Sequence, residues 1–448
     1  MSFIAQLAGK NCLVVGAGVT GQAVGQELTK FGAQVTLFDE QKKESAVKNL
    51  PADVDLAVVS PGWRKDHPVV IDLQKRNVEI LSEIDLAWLI KNELAPNQKW
   101  VALTGTNGKT TTIQMVESIF HESGLNGIAC GNVGETVISA VCKAHPYDYL
   151  ALELSSFQID WSELPKYESV AILNIAPDHI DWHGSFDAYA KAKLKLISQS
   201  KQVILNKSDP ELKTRCAGLT DVIWFSLDTP APGEIGLVEE LLIDRAFSPT
   251  PNEAQEISEL VDITPTVPHN ILNAMAAASL ALSLKIDYAK IKSGLNSFTT
   301  DHHRMELVRS DKEINWIDDS KATNPHAAAA SIMANFNVIW IAGGLAKGAA
   351  MDELVKQCAN RIKAAILIGA DRDLIAQALQ KYAPSISVKL IDMKSDNKKL
   401  MQDVVSYAAQ LAQPGDNVLL APACASMDQF SSYVERGQLF AQAVKQLS

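Results

Sequence analysis

Long apolar runs are missing from this 448-residue chain. No uninterrupted stretch approaches the roughly 20 residues that a membrane helix requires, so neither a membrane-spanning protein nor a membrane partner is expected. The N-terminal stretch lacks the basic start and extended apolar segment of a secretory signal. Closely spaced cysteines are missing too. Cys12, Cys130, Cys142, Cys216, Cys358 and Cys424 are scattered, with no pair at the spacing of a zinc site. Most lie in apolar stretches, as buried reduced thiols do, and a cytoplasmic location is the expectation. Positive charge is in deficit, with 41 Lys and Arg against 52 Asp and Glu and a net charge of −11. That balance argues against general affinity for nucleic acid or anionic membrane, while leaving room for a local basic pocket that holds phosphates. No short-period repeat is visible.

What is present is an ordinary globular composition, 47% hydrophobic and 21% charged, on a chain too long for one core. Three segments alternate short apolar strand patterns with helical ones, the signature of α/β domains with mainly parallel sheets. The first spans 1–94, with strands expected at 11–17, 34–39, 55–60 and 79–82, and Ala95-Pro96-Asn97 as a linker. The second spans 95–299, with strands at 100–104, 149–154, 169–175 and 202–206 and helices at 186–198 and 270–284. Its stretch from about 228 to 268, rich in Pro, Thr and acids, reads less clearly. The third spans 300–448, with strands at 314–318, 338–342, 365–369, 388–392 and 417–421, and has the look of another open doubly wound sheet.

The strongest local signal is Thr104-Gly105-Thr106-Asn107-Gly108-Lys109-Thr110-Thr111. A strand feeds a Gly-containing turn and a helix starts at the lysine. The N–H groups of such a turn, with the helix N-terminus, favour a polyphosphate. Lys109 would reach the β- and γ-phosphates and the Thr110 hydroxyl would hold Mg²⁺. The usual first Gly is replaced by Leu103, so the loop is a variant. The competing reading is a polar β–α turn with a surface lysine. Glu153 ends an apolar strand, where a carboxylate can hold the nucleotide's metal or simply meet solvent. Asn174-Ile175-Ala176-Pro177-Asp178-His179-Ile180-Asp181 leaves another strand end, and Lys191 and Lys193 lie on the following helix.

Gly16-Ala17-Gly18-Val19-Thr20-Gly21 also follows a strand and opens a helix, and Asp39 ends the next strand. Alone, that full Gly-x-Gly-x-x-Gly pattern with its acid reads as NAD binding, and an NAD-dependent oxidoreductase with a fused nucleotide-binding domain is the alternative it suggests. Glycines that merely allow tight strand–helix packing are the structural alternative.

Taken together, the phosphate loop, Glu153-Leu154-Ser155-Ser156-Phe157-Gln158, Asp178-His179 and Lys193 resemble the Mur ligases. His303-Arg304, Asp319-Ser320-Lys321-Ala322-Thr323-Asn324, Gly343-Gly344 with Lys347, and Pro422-Ala423-Cys424-Ala425-Ser426-Met427-Asp428-Gln429-Phe430 narrow the resemblance to the branch that adds D-glutamate. It runs through all three segments in order.

The resemblance implies an α/β protein of three domains: Rossmann-like, then P-loop ATPase-type, then Rossmann-like again. It implies an ATP-dependent amide ligase that joins D-glutamate to UDP-N-acetylmuramoyl-L-alanine through an acyl phosphate, with ATP and two Mg²⁺ ions, acting as a monomer. The first domain would hold the UDP end of the precursor, through Val19, Thr20, Asp39 and Gly62, helped by Asn132 and His179. The central domain would hold ATP through Gly105, Thr106, Asn107, Gly108, Lys109, Thr110 and Thr111. Asn273, Arg304 and Asp319 would add contacts to adenine, ribose and phosphate. Catalysis would fall to Lys109, Asn132, Glu153, His179 and Lys193. The metal would be held by Thr110, Glu153, His179 and Lys193, the lysine as a carbamate. Thr323, Lys347, Ser426 and Tyr433 would grip D-glutamate, with ordinary helix capping as the competing role for Thr323 and Ser426. The sequence departs from the family pattern at Tyr433, where Phe is familiar, at the apolar Leu345-Ala346 beside Lys347, and at the extra His302. A second amide-ligase alternative is another Mur ligase or a folylpolyglutamate synthase. Domain closure is expected, because acyl phosphates hydrolyse in open water.

Overall fold

The computed structural model describes residues 2–40, 49–248, 250, 253–393 and 396–447. These form two compact units: Met1–Thr266 with Asn270–Phe298, and Val267–His269 with Thr299–Ser448.

The first unit contains two sheets. One is built from β1 (Asn11–Val15), β2 (Gln34–Phe38), β3 (Leu56–Val59) and β4 (Glu79–Ser82), all parallel, in the order β2-β1-β3-β4. The unbroken apolar runs of β1 and β3 are buried almost throughout, as strands covered on both faces must be. The other sheet contains β5 (Lys99–Thr104), β6 (Gly127–Gly131), β7 (Tyr149–Glu153), β8 (Ser169–Ile172), β9 (Val203–Asn206), β10 (Val222–Phe225), β11 (Glu234–Val238), β12 (Leu241–Asp244) and β13 (Gln255–Glu259). Its order is β13-β12-β11-β10-β9-β8-β5-β7-β6, parallel from β6 to β11 and antiparallel at β12 and β13. The poorly legible stretch 228–268 therefore continues the sheet. The expected helix at 186–198 is α-helical over Phe186–Leu194 and tightens to a 3₁₀ turn at Lys195–Gln199.

Each face of the larger sheet has its own core. On one, Ile113, Val116 and Phe120 of helix Lys109–Glu122 pack with Met275, Leu280, Ile291 and Leu295 from helices Pro268–Ser283 and Tyr288–Ser297. On the other, Val24 and Leu28 of helix Val19–Lys30 and Leu86 and Ile90 of helix Glu83–Leu94 pack with Trp100, Ile138, Leu150 and Tyr167. Residues on both sides of the 94/95 junction thus share one core. Two buried carboxylates pin the same seam. Glu83 accepts from Ile138 N at 2.8 Å, and burial pushes its carboxyl up to about 7. Asp85 accepts from Glu163 N at 2.9 Å, Leu164 N at 2.8 Å and Ser162 Oγ at 3.2 Å.

The second unit has one sheet: β14 (Glu306–Asp311), β15 (Ile314–Asp318), β16 (Val338–Gly343), β17 (Ile362–Ile368), β18 (Ser387–Leu390) and β19 (Asn417–Leu420). Its order is β14-β15-β19-β16-β17-β18, with β14 an antiparallel edge on an otherwise parallel sheet. No helix among the described residues is long and apolar enough to cross a membrane.

Removing the Asp85 carboxylate strands two part-buried N–H groups and the Ser162 hydroxyl. Asp85→Ala is expected to lower unfolding stability by about 2–3 kcal/mol, read from urea denaturation followed by fluorescence.

Candidate active site

β5 lies between β7 and β8, so the chain leaves three adjacent parallel strands on one edge of the sheet, where open α/β sheets bind ligands. After β5 the turn is shaped by Gly108, which caps helix Lys109–Glu122 at φ +83°. A side chain there would be strained and would collide with the Asn273 carboxamide, which the long helix Pro268–Ser283 delivers to the turn. The turn is clamped to the segment after β8. Thr106 N donates to Asn174 O at 3.0 Å, and Asn107 N to Asn174 Oδ1 at 2.8 Å. Asn174 Nδ2 returns a bond to Asn107 O at 3.1 Å. Thr106 Oγ1 donates to Ala176 O at 3.1 Å, accepts from Ala176 N at 2.9 Å, and lies 2.9 Å from Tyr189 OH. Lys109 Nζ folds back over the turn onto Gly105 O at 2.9 Å and Thr106 O at 3.0 Å. Thr110 is half-buried in the first helical turn, with Thr111 buried behind it.

β7 brings Glu153 to the same edge with its side chain 1% exposed. Asn132 grips it twice, donating from its backbone N to Glu153 O at 2.9 Å and from Nδ2 to Oε1 at 2.8 Å. Glu153 Oε2 is buried without a protein partner. Lys193 is also 1% exposed; its amine donates to Thr104 Oγ1 at 3.1 Å and Gly105 O at 2.9 Å, over the Tyr189 ring. Burial holds its pKa well below the usual lysine range, and the Lys109 charge pushes the same way against Asp178 and Glu153. His179 opens the short helix Ile180–His183 in left-handed geometry at φ +51°, beside Asp178, with its ring edge-on to Phe157 at 4.7 Å. Phe157 stacks on His183, whose Nε2 meets Ser156 Oγ at 2.9 Å. Burial drives the His183 pKa down to about 4. The sequence motifs around residues 105, 132, 153, 179 and 193 are therefore gathered at one place.

At the end of β1 the N-terminal turn has Gly16 at φ +102°, and Ala17 N donates to Asp39 Oδ2 at 2.8 Å. Asp39 thus braces the turn from inside. Val19 is 81% exposed at the start of its helix, with Thr20 half-buried next to it. Gly62 lies against the His179 helix, its carbonyl accepting from Trp182 Nε1 at 3.2 Å. Neighbouring residues make the junction firm. Trp161 Nε1 donates to Trp63 O at 2.8 Å, Arg64 Nη1 to Trp182 O at 2.7 Å, and Lys65 Nζ to Asp160 O at 2.7 Å. Sequence reasoning passed over Trp63, Arg64, Trp161 and Trp182; the tryptophans flanking the Ser60-Pro61-Gly62 and Asp178-His179 motifs were the available signal.

In the second unit, the loops after β15, β16 and β19 leave three neighbouring strands and are stitched together. Ala423 N donates to Ala322 O at 2.9 Å, and Leu345 and Ala425 exchange backbone bonds of 2.8 and 2.9 Å. That brings the loop of Lys347, which is exposed at φ +50°, beside buried Ser426. Tyr433 starts the final helix with the Lys321 amine 4.0 Å over its ring, and its carbonyl accepts from Ser320 Oγ at 2.7 Å. Thr323 is half-buried, its N–H on Lys321 O. The helix caps nearby are Asn324 and Ser432, so capping is not what occupies Thr323 and Ser426. A residue absent from the sequence reading holds all three loops. Arg436 is wholly buried, and its guanidinium donates to Ser320 Oγ and O at 3.0 Å and to Cys424 O at 3.2 and 3.3 Å, with Gly343 O at 3.4 Å. Desolvation lowers its pKa to about 10, which leaves it charged at neutral pH.

Arg304 sits at the apex of a strained corner, between His303 at φ +66° and Met305 at φ +49°. Three acids hold that corner. Asp318 lies 2.6 Å from His303 Nδ1, Glu306 accepts from His303 N at 2.9 Å, and Asp319 accepts from Met305 N at 3.2 Å and from Ser331 Oγ. Burial pushes the Asp319 carboxyl up to about 6. His302 is exposed and completes the lock through Glu306 Oε1 at 2.9 Å. His303, Glu306 and Asp318 are close enough to ligate an ion, but these bonds already engage their ligand atoms.

Residues 103–281 match the Mur ligase middle domain, and residues 303–424 match the Mur ligase, glutamate ligase domain. Among known proteins, the UDP-N-acetylmuramoylalanine–D-glutamate ligase of Thermobifida fusca is 44% identical over 99% of this chain and 100% of its own. The protein of the same name from Streptomyces coelicolor is 42% identical, over 99% of both. In fold, the chain is similar to the MurF ligase of Thermotoga maritima in complex with ADP, with a TM-score of 0.60 over 100% of both chains at 17% identity.

Because Arg436 satisfies carbonyls from loops far apart in sequence, Arg436→Met leaves them buried and unpaired. Stability of the protein is expected to fall by about 2–4 kcal/mol, measured as the shift in denaturation midpoint multiplied by the m-value.

Proposed function

This chain belongs to the Mur ligase family, and from that membership and the clamped turn around Lys109 we propose how its residues divide the work. It is an ATP-dependent ligase of peptidoglycan precursor synthesis that adds D-glutamate to UDP-N-acetylmuramoyl-L-alanine, passing through an acyl phosphate and releasing ADP and phosphate. The oxidoreductase suggested by the N-terminal glycines gives way to this reading. The single observation that carries the site assignment is the convergence of Lys109, Lys193 and Glu153 on the phosphate turn after β5.

A carboxylate resists amine attack because it lacks a leaving group, and phosphorylation supplies one. Transfer of a phosphoryl group between two anions depends on positive charge and alignment more than on covalent help. Lys109, anchored on the turn's own carbonyls, supplies the charge at the β- and γ-phosphates, and residues 105–111 with Asn273 hold the nucleotide. Arg304 and Asp319 are the second unit's candidate contacts for it. Mg²⁺ fits here: the buried, unpartnered Glu153 Oε2 calls for a cation, and Thr110, His179 and Lys193 are the further ligands we assign to it. When bound, the metal would neutralise charge on the phosphates. Burial pushes the Lys193 amine toward its neutral form, the one that adds CO₂ and loses a proton to become an anionic carbamate, which supports Lys193 as a modified ligand. Asn132 orients Glu153 and, with Val19, Thr20, Asp39, Gly62 and His179, faces the precursor. Thr323, Lys347, Ser426 and Tyr433 take the incoming amino acid, with Lys347 a point charge for one carboxylate and the Tyr433 ring a wall. We assign the protein to the cytoplasm as a monomer.

The decisive assay gives the purified protein ATP, Mg²⁺ and UDP-N-acetylmuramoyl-L-alanine with D-glutamate, L-glutamate or NADH in turn. Phosphate release is expected only with D-glutamate; release with another acceptor would replace the substrate assignment. Lys109→Ala is expected to lower kcat by about 10²–10³-fold with little change in the unfolding midpoint, since the side chain is half-buried and its amine bonds to carbonyls of the turn it serves. Lys193→Ala should lose turnover and regain part of it when short carboxylic acids are added. No regain under saturating acid would leave Lys193 a phosphate-binding or structural lysine.

A further inference from the structure

The strand order β2-β1-β3-β4 reverses beside β1, so the crevice of the first sheet opens between the C-terminal ends of β1 and β3. The glycine turn leaves β1 at that point and Ser60-Pro61-Gly62-Trp63 leaves β3. Ser60 N donates to Val15 O at 2.8 Å and Trp63 N to Ser60 O at 3.1 Å, which folds the second segment back against the first. Gly16 has no side chain to keep the indole away. A Cβ built there would stand 3.0 Å from Trp63 Nε1, so the N–H edge of the ring lies against the turn itself.

The remainder of Trp63 is already committed. Its ring packs on Phe38 at 5.9 Å and meets His67 edge-on at 4.5 Å, and its carbonyl accepts from Trp161. The cations that follow it in sequence are committed as well. Arg64 is paired with Asp66 and bound to Trp182 O, and Lys65 to Asp160 O. Among the described residues no protein acceptor takes the Trp63 Nε1–H. The crevice therefore keeps one rigid, neutral donor beside the N-terminus of helix Val19–Lys30, whose first N–H groups suit anionic oxygen, while those of Gly16 and Ala17 are taken by Phe38 O and Asp39.

We propose that Trp63 is a specificity-determining residue for the nucleotide-linked substrate, its Nε1–H donating to a phosphate oxygen of the uridine diphosphate. The proposal rests on the reading that the first sheet holds the UDP end of the precursor. A fixed indole donor has a defined direction and no side-chain freedom left to lose, so it discriminates by geometry where a flexible lysine would attract any anion.

The test is inhibition of precursor turnover by UDP and by uridine, using the full-length protein and Trp63→Phe. The phenyl ring keeps an aromatic face toward Phe38 and His67 and removes the donor, and the uridine arm reads any effect of the smaller ring. UDP is expected to inhibit the variant roughly ten-fold more weakly, the effect of losing one hydrogen bond to a charged group. Uridine inhibition should change less than two-fold. The precursor KM should rise with UDP's inhibition constant, while kcat and the ATP KM stay put. Equal UDP inhibition of both proteins overturns the proposal. So does equal weakening toward UDP and uridine, which marks lost packing. A wild-type enzyme insensitive to UDP overturns the reading beneath it, while phosphate release with D-glutamate would still stand.

Discussion

Gly105 O accepts hydrogen bonds from both Lys109 and Lys193, each at 2.9 Å, and the rest of the catalytic edge is arranged around that shared carbonyl. Two ammonium groups on one buried oxygen repel each other strongly where the dielectric is low. The structure resolves the conflict by depth. Lys193 lies deep under Tyr189 and is pushed toward the neutral amine, while half-buried Lys109 keeps the outer position. One residue type is thus placed in two electrostatic settings, separated by burial.

Everything that fixes the shared carbonyl comes from other strands. Asn174 and Ala176 hold the turn from β8, Asn132 holds Glu153 from the end of β6, and Tyr189 closes on Thr106 from the following helix. The N-terminal segment is tied in by main-chain carbonyls that accept from Trp161, Trp182, Arg64 and Lys65. In the second unit the same problem, how to hold loops that carry polar chemistry, is met by burying one guanidinium, because five N–H groups in a plane can satisfy carbonyls on several loops at once.

The sequence was informative where structure is local. β1, β5, β7 and β15 are short apolar runs that read directly, and the turn at residues 105–110 announces itself because Gly, Asn and Lys follow a strand. It was poor where structure depends on distant partners. β6 lies between two glycines, β12 and β13 mix acids with apolar residues, and β14 is a half-exposed edge, so none has a clean period of two. Nothing local singles out Arg436; its partners Ser320 and Gly343 lie about a quarter of the chain away. Asp319, a nucleotide contact by resemblance, also has its carboxylate bonded to Met305 N and Ser331, a bracing role no spacing rule could reveal.

The common core beneath helices Val19–Lys30 and Glu83–Leu94 has a bearing on recombination between relatives. A crossover placed at the short Ala95-Pro96-Asn97 connection would look harmless on a sequence map. It would nevertheless mate Leu86 and Ile90 from one parent with Trp100, Ile138 and Tyr167 from another. Hybrid enzymes cut there would inherit a mismatched interior, so functional exchange of the N-terminal segment should require both sides of that interior to travel together.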